Sequence, residues 1–248
     1  MATGFSPFGL VKRALPSPRT ATGTEAQARY DPYGGQHVQV GLPFKQALMD
    51  EGCYFATTNP TPATALATGV NASFDVTKGL FVLYNGATAT EGTRVFPDYL
   101  KIIPTVAPAS GTSFHYAVYL DSTNRYTSGG TAMTSKNANM DSSTSPSATL
   151  YAASGGTVIT VATASSNARL VGRTVLRGAI PVINDELILQ FGGTELSGAT
   201  PVSTIGRVVC NAPPVAIPPG GSMVVIFWSP SNAVTGLSYE FEMGHWER

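Results

Sequence analysis

The chain has 248 residues and a net charge of zero, fifteen Lys plus Arg against fifteen Asp plus Glu, with only 12% charged residues, about half the usual ~25%. That balance argues against nucleic acid as the main partner, since phosphate binding draws on clustered cations. The longest apolar run, 223–228, is far short of the ~20 residues of a transmembrane helix. Cys53 and Cys210 lie far apart in a chain without an apolar leader. They read as buried free thiols of a protein made in a cytoplasm, not as part of a disulfide-built secreted scaffold. Polarity comes instead from Ser, Thr, Asn and Gly. Such a surface suits dense packing against neighbours, because few charges must be desolvated, although extracellular β-proteins share the composition.

Residues 1–50 read as an extended N-terminal arm. Pro7, Pro16 and Pro18 interrupt any period, and the aromatics Phe5, Phe8, Tyr30 and Tyr33 are isolated. A segment of this kind buries too little by itself to offset its ordering entropy. Its first thirty residues carry Lys12, Arg13, Arg19 and Arg29 against Glu25 alone. Two readings stay open: a solvated basic tail, and an arm that docks on an acidic surface. Pro43 then opens the best short helix in the chain, over 43–50, with Phe44, Ala47 and Leu48 on one face.

From 51 to 248 the pattern is strand after strand. Segment 79–84 is a short apolar strand ending at the turn signal Asn85-Gly86. Segment 94–103 is stopped by Pro104. In 113–120, Phe114, Tyr116, Val118 and Leu120 share a face. Segments 157–163, 169–180, Glu186–Phe191, 204–210 and Ser222–Trp228 follow. The last, 237–246, alternates: Leu237, Tyr239, Phe241 and Met243 on one face, Ser238, Glu240, Glu242 and Gly244 on the other. A period of two marks a strand with one dry face. About nine strands with Gly, Pro and Asn turns, and no sustained helical period, predict an all-β sandwich. The Ser/Thr/Asn/Gly-rich stretch 121–147 reads as a long structureless loop of the contact-making kind, and 59–71 as a milder case.

Catalytic motifs are lacking. His37, His115 and His245 have no ligand spacing, and there is neither a nucleophile elbow nor a phosphate-cradling glycine loop. No catalytic residue, cofactor or metal site is expected. His115 lies on the less apolar face of its strand, where a hydrogen-bonded structural histidine is the ordinary occupant. Two of the carboxylates Asp98, Asp121 and Glu51 would serve as a glycosidase pair only at a fixed separation, which nothing in the sequence requires. Glu240 and Glu242, at i and i+2, line a solvated face, pair across a subunit contact, or converge on a ligand. Trp228 ends an apolar strand and reads as core. Trp246 shares the face of Glu240 and Glu242 and reads as surface or interface. Glu240, Glu242 and Trp246 are therefore the candidate self-association residues.

Ile217-Pro218-Pro219-Gly220-Gly221-Ser222 leading into an apolar strand, with a last strand ending Trp246-Glu247-Arg248, resembles the jelly-roll head decoration (cement) proteins of tailed bacteriophages. The resemblance covers 51–248 as architecture and the C-terminal stretch as motif. It implies a jelly-roll-like antiparallel β-sandwich of about eight or nine strands behind an extended arm. It also implies a homotrimer on three-fold positions of a capsid, whose arms and loops clamp neighbouring major capsid subunits. Beside that expectation, Phe5, Phe8, Lys12, Arg13, Arg19, Arg29, Tyr30 and Tyr33 are the candidate capsid-contact arm, and Glu240, Glu242 and Trp246 the candidate trimer interface. The protein would be a non-enzymatic virion-surface component, with the major capsid protein and its own copies as partners and neither nucleic acid nor membrane. A tail, head-fibre or receptor-binding virion component and a lectin-like glycan-binding module are the alternatives on the same fold.

Overall fold

The structure is a computed structural model that describes residues 44–107, 114–177, 182–192, 206–230 and 234–248. The arm candidates Phe5, Phe8, Lys12, Arg13, Arg19, Arg29, Tyr30 and Tyr33 lie outside the described residues. One helix, α1 (Phe44–Asp50), precedes the strands β1 (Tyr54–Thr58), β2 (Leu66–Val70), β3 (Lys78–Gly79), β4 (Phe81–Asn85), β5 (Val95–Val106), β6 (Phe114–Asp121), β7 (Tyr126–Ser128) and β8 (Thr131–Met133). There follow β9 (Lys136–Asn137), β10 (Ala148–Ala152), β11 (Ile159–Val161), β12 (Arg169–Arg177), β13 (Glu186–Phe191), β14 (Arg207–Ala212), β15 (Ser222–Trp228) and β16 (Val234–Glu247). The protein is all-β, as its alternation predicts. No helix among the described residues is long and apolar enough to cross a membrane.

The strands form a seven-stranded sheet in the order β14-β13-β5-β16-β1-β9, with β2 also on β16, a six-stranded sheet β12-β6-β15-β4-β10-β8, and a small sheet β3-β11-β7. Neighbours pair antiparallel except β13 and β14, which run parallel. The larger sheets pack face to face. Phe81 of β4 meets Tyr239 and Phe241 of β16 edge-on, at centroid distances of 5.6 and 5.3 Å. A small apolar cavity of about 10 Å³ remains between them, lined by Leu80, Phe114 and Phe227 from one side and Ile102, Leu187 and Tyr239 from the other.

Every residue of β15 is buried, which explains why this strand reads as a continuous apolar run and not as an alternation. One face joins Phe81 and Leu83 through the pairs Val225↔Phe81 and Met223↔Leu83 and belongs to the sandwich core. The other face, Ser222, Val224, Ile226 and Trp228, is covered by the small sheet and its flanks. A β-carbon on Gly79 of β3 would lie 3.2 Å from the Val224 side chain. Ser222 Oγ donates to the Thr123 carbonyl at 2.8 Å and accepts the Arg125 N–H at 3.2 Å. Arg125 is fully buried in this third layer, where its guanidinium donates to the carbonyls of Val76 (2.6 Å) and Ala162 (2.9 Å).

The turn entering β15 is built as its sequence requires. Gly221 N–H donates to the Pro218 carbonyl at 2.9 Å, Pro219 takes the second position, and Gly220 has φ +73°. This is a type II turn, whose third residue needs the left-handed region that glycine supplies without strain. At the other end of the chain, Arg248 and Arg94 exchange backbone hydrogen bonds at 2.7 and 2.9 Å, so the terminal strand is tied along its full length.

Several elements differ from the expectation. Strand β5 continues through Pro104 to Val106. A proline is tolerated there because the ladder with β16 shifts between Ser238 and Tyr239, and a proline at a bulge removes no regular ladder bond. The stretch 121–147 is not structureless: β7, β8 and β9 lie in it, each of two or three residues, too short to display a period. Strands β1, β2 and β10 add to those read from the sequence. Helix α1 belongs with the β-unit Lys45–Arg248, with Leu48 buried and its carbonyl accepting the Cys53 N–H at 2.9 Å.

Candidate functional site

The outer face of the seven-stranded sheet gathers the candidate self-association residues. Strand β16 presents Glu240, Glu242, Gly244 and Trp246 there in alternation with the buried Phe241, Met243, His245 and Glu247. Their cross-strand partners on β5 are Ile103, Lys101, Tyr99 and Phe96, and β1 adds Thr58, Ala56 and Tyr54 opposite Glu242, Gly244 and Trp246. The period of two in the last strand thus places all three sequence-derived residues on one surface.

A second bulge shapes the middle of this face. The pairing passes from Gly244↔Tyr99 to His245↔Pro97, leaving Asp98 as the extra residue on β5. Bulges re-aim side chains, and Asp98 is turned so that it accepts a hydrogen bond from the Tyr54 hydroxyl at 2.7 Å and pairs with Lys45 Nζ of α1 at 2.8 Å. One residue on, the Tyr99 hydroxyl and Lys101 both engage Glu242. Each carboxylate is therefore held by one tyrosine and one lysine.

Gly244 lies between the two sets. A β-carbon there would come 2.2 Å from the Tyr54 hydroxyl oxygen and 2.6 Å from Tyr99 Cε1, so only glycine lets both rings lie across the strand. Next to them Trp246 stacks on Phe96, with centroids 5.6 Å apart and planes 9° from parallel.

The electrostatics follow from this packing. Burial, then the hydrogen bond to Asp98 and its charge, push the Tyr54 hydroxyl well above the ordinary tyrosine value. Burial and Glu242 do the same to Tyr99. Burial works against the charge of Glu242, but the hydrogen bonds from Lys101 and Tyr99 outweigh it and hold the carboxyl below its usual range. Protonated tyrosines and a charge-paired Glu242 give a pre-organised face of hydroxyls, rings and paired charges.

The remaining sequence candidates fall elsewhere. Asp121 and Asp98 are not a glycosidase pair. Asp98 is on the outer face of one sheet, whereas Asp121 faces the small sheet on the far side of the core and accepts hydrogen bonds from Thr123 and from Ser165 (N–H 2.9 Å, hydroxyl 2.6 Å). Trp228 is buried, and His115 tilts over it at 5.3 Å. His37 is outside the described residues. Cys53 and Cys210 are free thiols but half-buried, not fully buried. No group of three or more His, Cys, Asp or Glu among the described residues is placed to hold a metal ion.

The sequence reading missed Lys45, Tyr54, Phe96, Tyr99 and Lys101, and weighed Asp98 only as a member of a glycosidase pair. Alternation along 94–103 offers Tyr99, Lys101 and Ile103 as one face, and Pro97 hints at a bulge. Nothing short of the register shows that β1 and α1 close over the same place. Comparison with known proteins finds no matching family model, no matching curated protein and no matching solved structure.

Proposed function

We propose that the protein is a structural virion component that decorates and cements a phage capsid, bridging neighbouring major capsid subunits as a homotrimer. The observation that carries this reading is the outer sheet face, where Glu240, Glu242 and Trp246 share one surface with Tyr54, Phe96 and Tyr99. Association costs free energy for each side chain it must immobilise. Side chains already fixed by Asp98, Glu242 and the Phe96–Trp246 stack lose little on contact, as tyrosine-rich recognition surfaces exploit. The scarcity of charge supports the same reading, since few groups need desolvating at a seam. In this role the protein is non-enzymatic, its partners are the major capsid protein and its own copies, and it acts on the virion surface without nucleic acid or membrane. A trimer multiplies modest contacts through effective concentration.

Light scattering on the purified chain, followed by co-sedimentation with empty shells of the phage that encodes it, tests the proposal. A mass near three times 25.8 kDa and saturable binding to shells are expected. A monomer that leaves shells bare would overturn the proposal. One observation favours a second reading: the partly buried Phe96–Trp246 stack on the outer face also suits the apolar face of a sugar ring. A glycan array with reproducible, Trp246-dependent signal would move the lectin-like alternative ahead.

A further inference from the structure

On the opposite side of the sandwich, the six-stranded sheet ends in β12, whose described pairing is with β6. The ladder shifts twice, between Leu170 and Gly172 and between Val175 and Arg177. The first shift brings Leu170, Arg173 and Val175 onto one face, opposite Tyr119, Ala117 and His115. This face points away from the seven-stranded sheet. It continues into a cluster of rings in which Phe74 meets Trp228 edge-on at 5.2 Å and Tyr119 at 6.2 Å.

The strand is apolar and cationic at once. Leu170 is 48% exposed, Val175 46% and Phe74 44%, and Arg169 and Arg173 are exposed beside them. Among the described residues no carboxylate pairs with either arginine. Asp121, the one acid on β6, is buried and taken up by Thr123 and Ser165. The edge of the other sheet is different, because Arg207 of β14 is neutralised by Glu186 on β13. Among the described residues, Gly172, Arg173 and Val175 make no backbone hydrogen bond beyond the ladder with β6.

An open edge with alternating side chains can accept an added strand, which gains affinity from main-chain hydrogen bonds and specificity from alternate side chains. The occupant's charge follows from the arginines. A second copy of β12 paired antiparallel would bring arginines against each other, and like charges directly opposite are destabilising. The arginines thus disfavour pairing of the edge with its own kind, while leaving it complementary to an anionic strand. We propose that the β12 edge binds an acidic, extended polypeptide segment of another protein by strand addition, with Arg173 facing its carboxylates and Leu170, Val175 and Phe74 taking its apolar side chains.

The test uses the full chain against a displayed library of random decapeptides. The best enriched peptide is then synthesised and titrated by fluorescence anisotropy against wild type and Arg173→Glu. Enriched sequences should carry acidic and apolar residues together at every second position, the positions that share one face of an added strand. The substitution should weaken binding about tenfold or more with unchanged thermal melting, and the same peptide with lysine in place of its acids should prefer the variant. Hydrogen exchange should slow at 172–175 in the complex. Absence of enrichment, enriched peptides without acidic bias, or affinity indifferent to Arg173→Glu would overturn the proposal. So would a poly-thymidine oligonucleotide that displaces the peptide and depends on the same arginine, since the face would then belong to nucleic acid.

Discussion

Gly244 lies directly beneath Tyr54: a β-carbon at this position would stand 2.2 Å from the tyrosine hydroxyl oxygen, closer than any real contact allows. The glycine is therefore what permits the Tyr54–Asp98 hydrogen bond of 2.7 Å on the outer sheet face. Gly244→Ala must expel a ring or shift a central strand. Overpacking of this sort costs about 1–3 kcal/mol, and each kcal/mol lowers the melting temperature of a domain this size by about 2–4 °C. The check is calorimetry on Gly244→Ala alone and with Tyr54→Ala, which removes the clash with the hydroxyl and leaves only the one with Tyr99 Cε1 at 2.6 Å. A single variant as stable as wild type, or a double variant no better than the sum of the two changes, would show that Tyr54 does not lie over position 244.

Glu247 predicts a pH dependence. It is buried beside His245 Nε2 at 3.3 Å and accepts the backbone N–H groups of Ser147 and Ala148 at 2.8 and 2.9 Å. Burial raises its pKa, but these donors together outweigh burial and hold it below the ordinary value of 4.5. A carboxyl depressed by folding contributes stability that is complete above its unfolded pKa and is lost as the pH falls through the folded one. Glu247→Gln should therefore cost about 1.5–3 kcal/mol at neutral pH. The gap to wild type should narrow as acid is added below pH 4.5. Urea unfolding at a series of pH values measures it, and a gap that stays constant down to about pH 2.5 would refute the assignment.

How much of this was legible beforehand depends on the length and burial of each element. The alternation of 237–246 was sufficient to put Glu240, Glu242 and Trp246 on one surface, because a strand with one wet face writes its geometry into its sequence. The run 223–228 was legible as a strand, and its unbroken apolar character is the mark of burial on both faces, but nothing in the run itself says which segments cover the second face. Strands β7, β8 and β9 were invisible because two or three residues carry no period. The Tyr54–Asp98–Lys45 set escaped for another reason: it depends on a bulge and on three segments whose proximity only the register reveals.

Arg125 offers the sharpest test of the three-layer arrangement. Its guanidinium is buried, donates to the carbonyls of Val76 and Ala162, and lies 4.0 Å from Asp121 and 6.0 Å from the centre of the Tyr119 ring. Removing it strands those carbonyls and the Asp121 charge. Arg125→Met, which keeps much of the apolar stem, should cost about 3–5 kcal/mol, as expected when one partner of a buried pair is deleted. Lysine lacks the fork that spans two carbonyls, so Arg125→Lys should rescue only part of the loss. Denaturant midpoints decide the matter. A methionine variant within about 1 kcal/mol of wild type would mean that the small sheet is not held through this side chain.

Trp246 and Glu240 connect the fold to the proposed assembly. Both point outward from β16, and Glu240 stands opposite Ile103 without an ion pair among the described residues. If the outer face is the trimer contact, Trp246→Ala removes a large aromatic of the type that dominates interfaces, at about 2 kcal/mol or more per contact, or roughly a thirtyfold weaker association. Glu240→Arg reverses a charge that has no ion-pair partner among the described residues to disturb. The two substitutions together should turn a species of three times 25.8 kDa into monomers by light scattering while circular dichroism at low temperature stays near wild type. Glu186→Gln, on β13 next to the edge strand, where the residue pairs with Arg207, should leave the mass unchanged. A double variant that keeps the wild-type mass across a dilution series would remove this face from the assembly and leave the trimer, if one forms, to be explained by another surface.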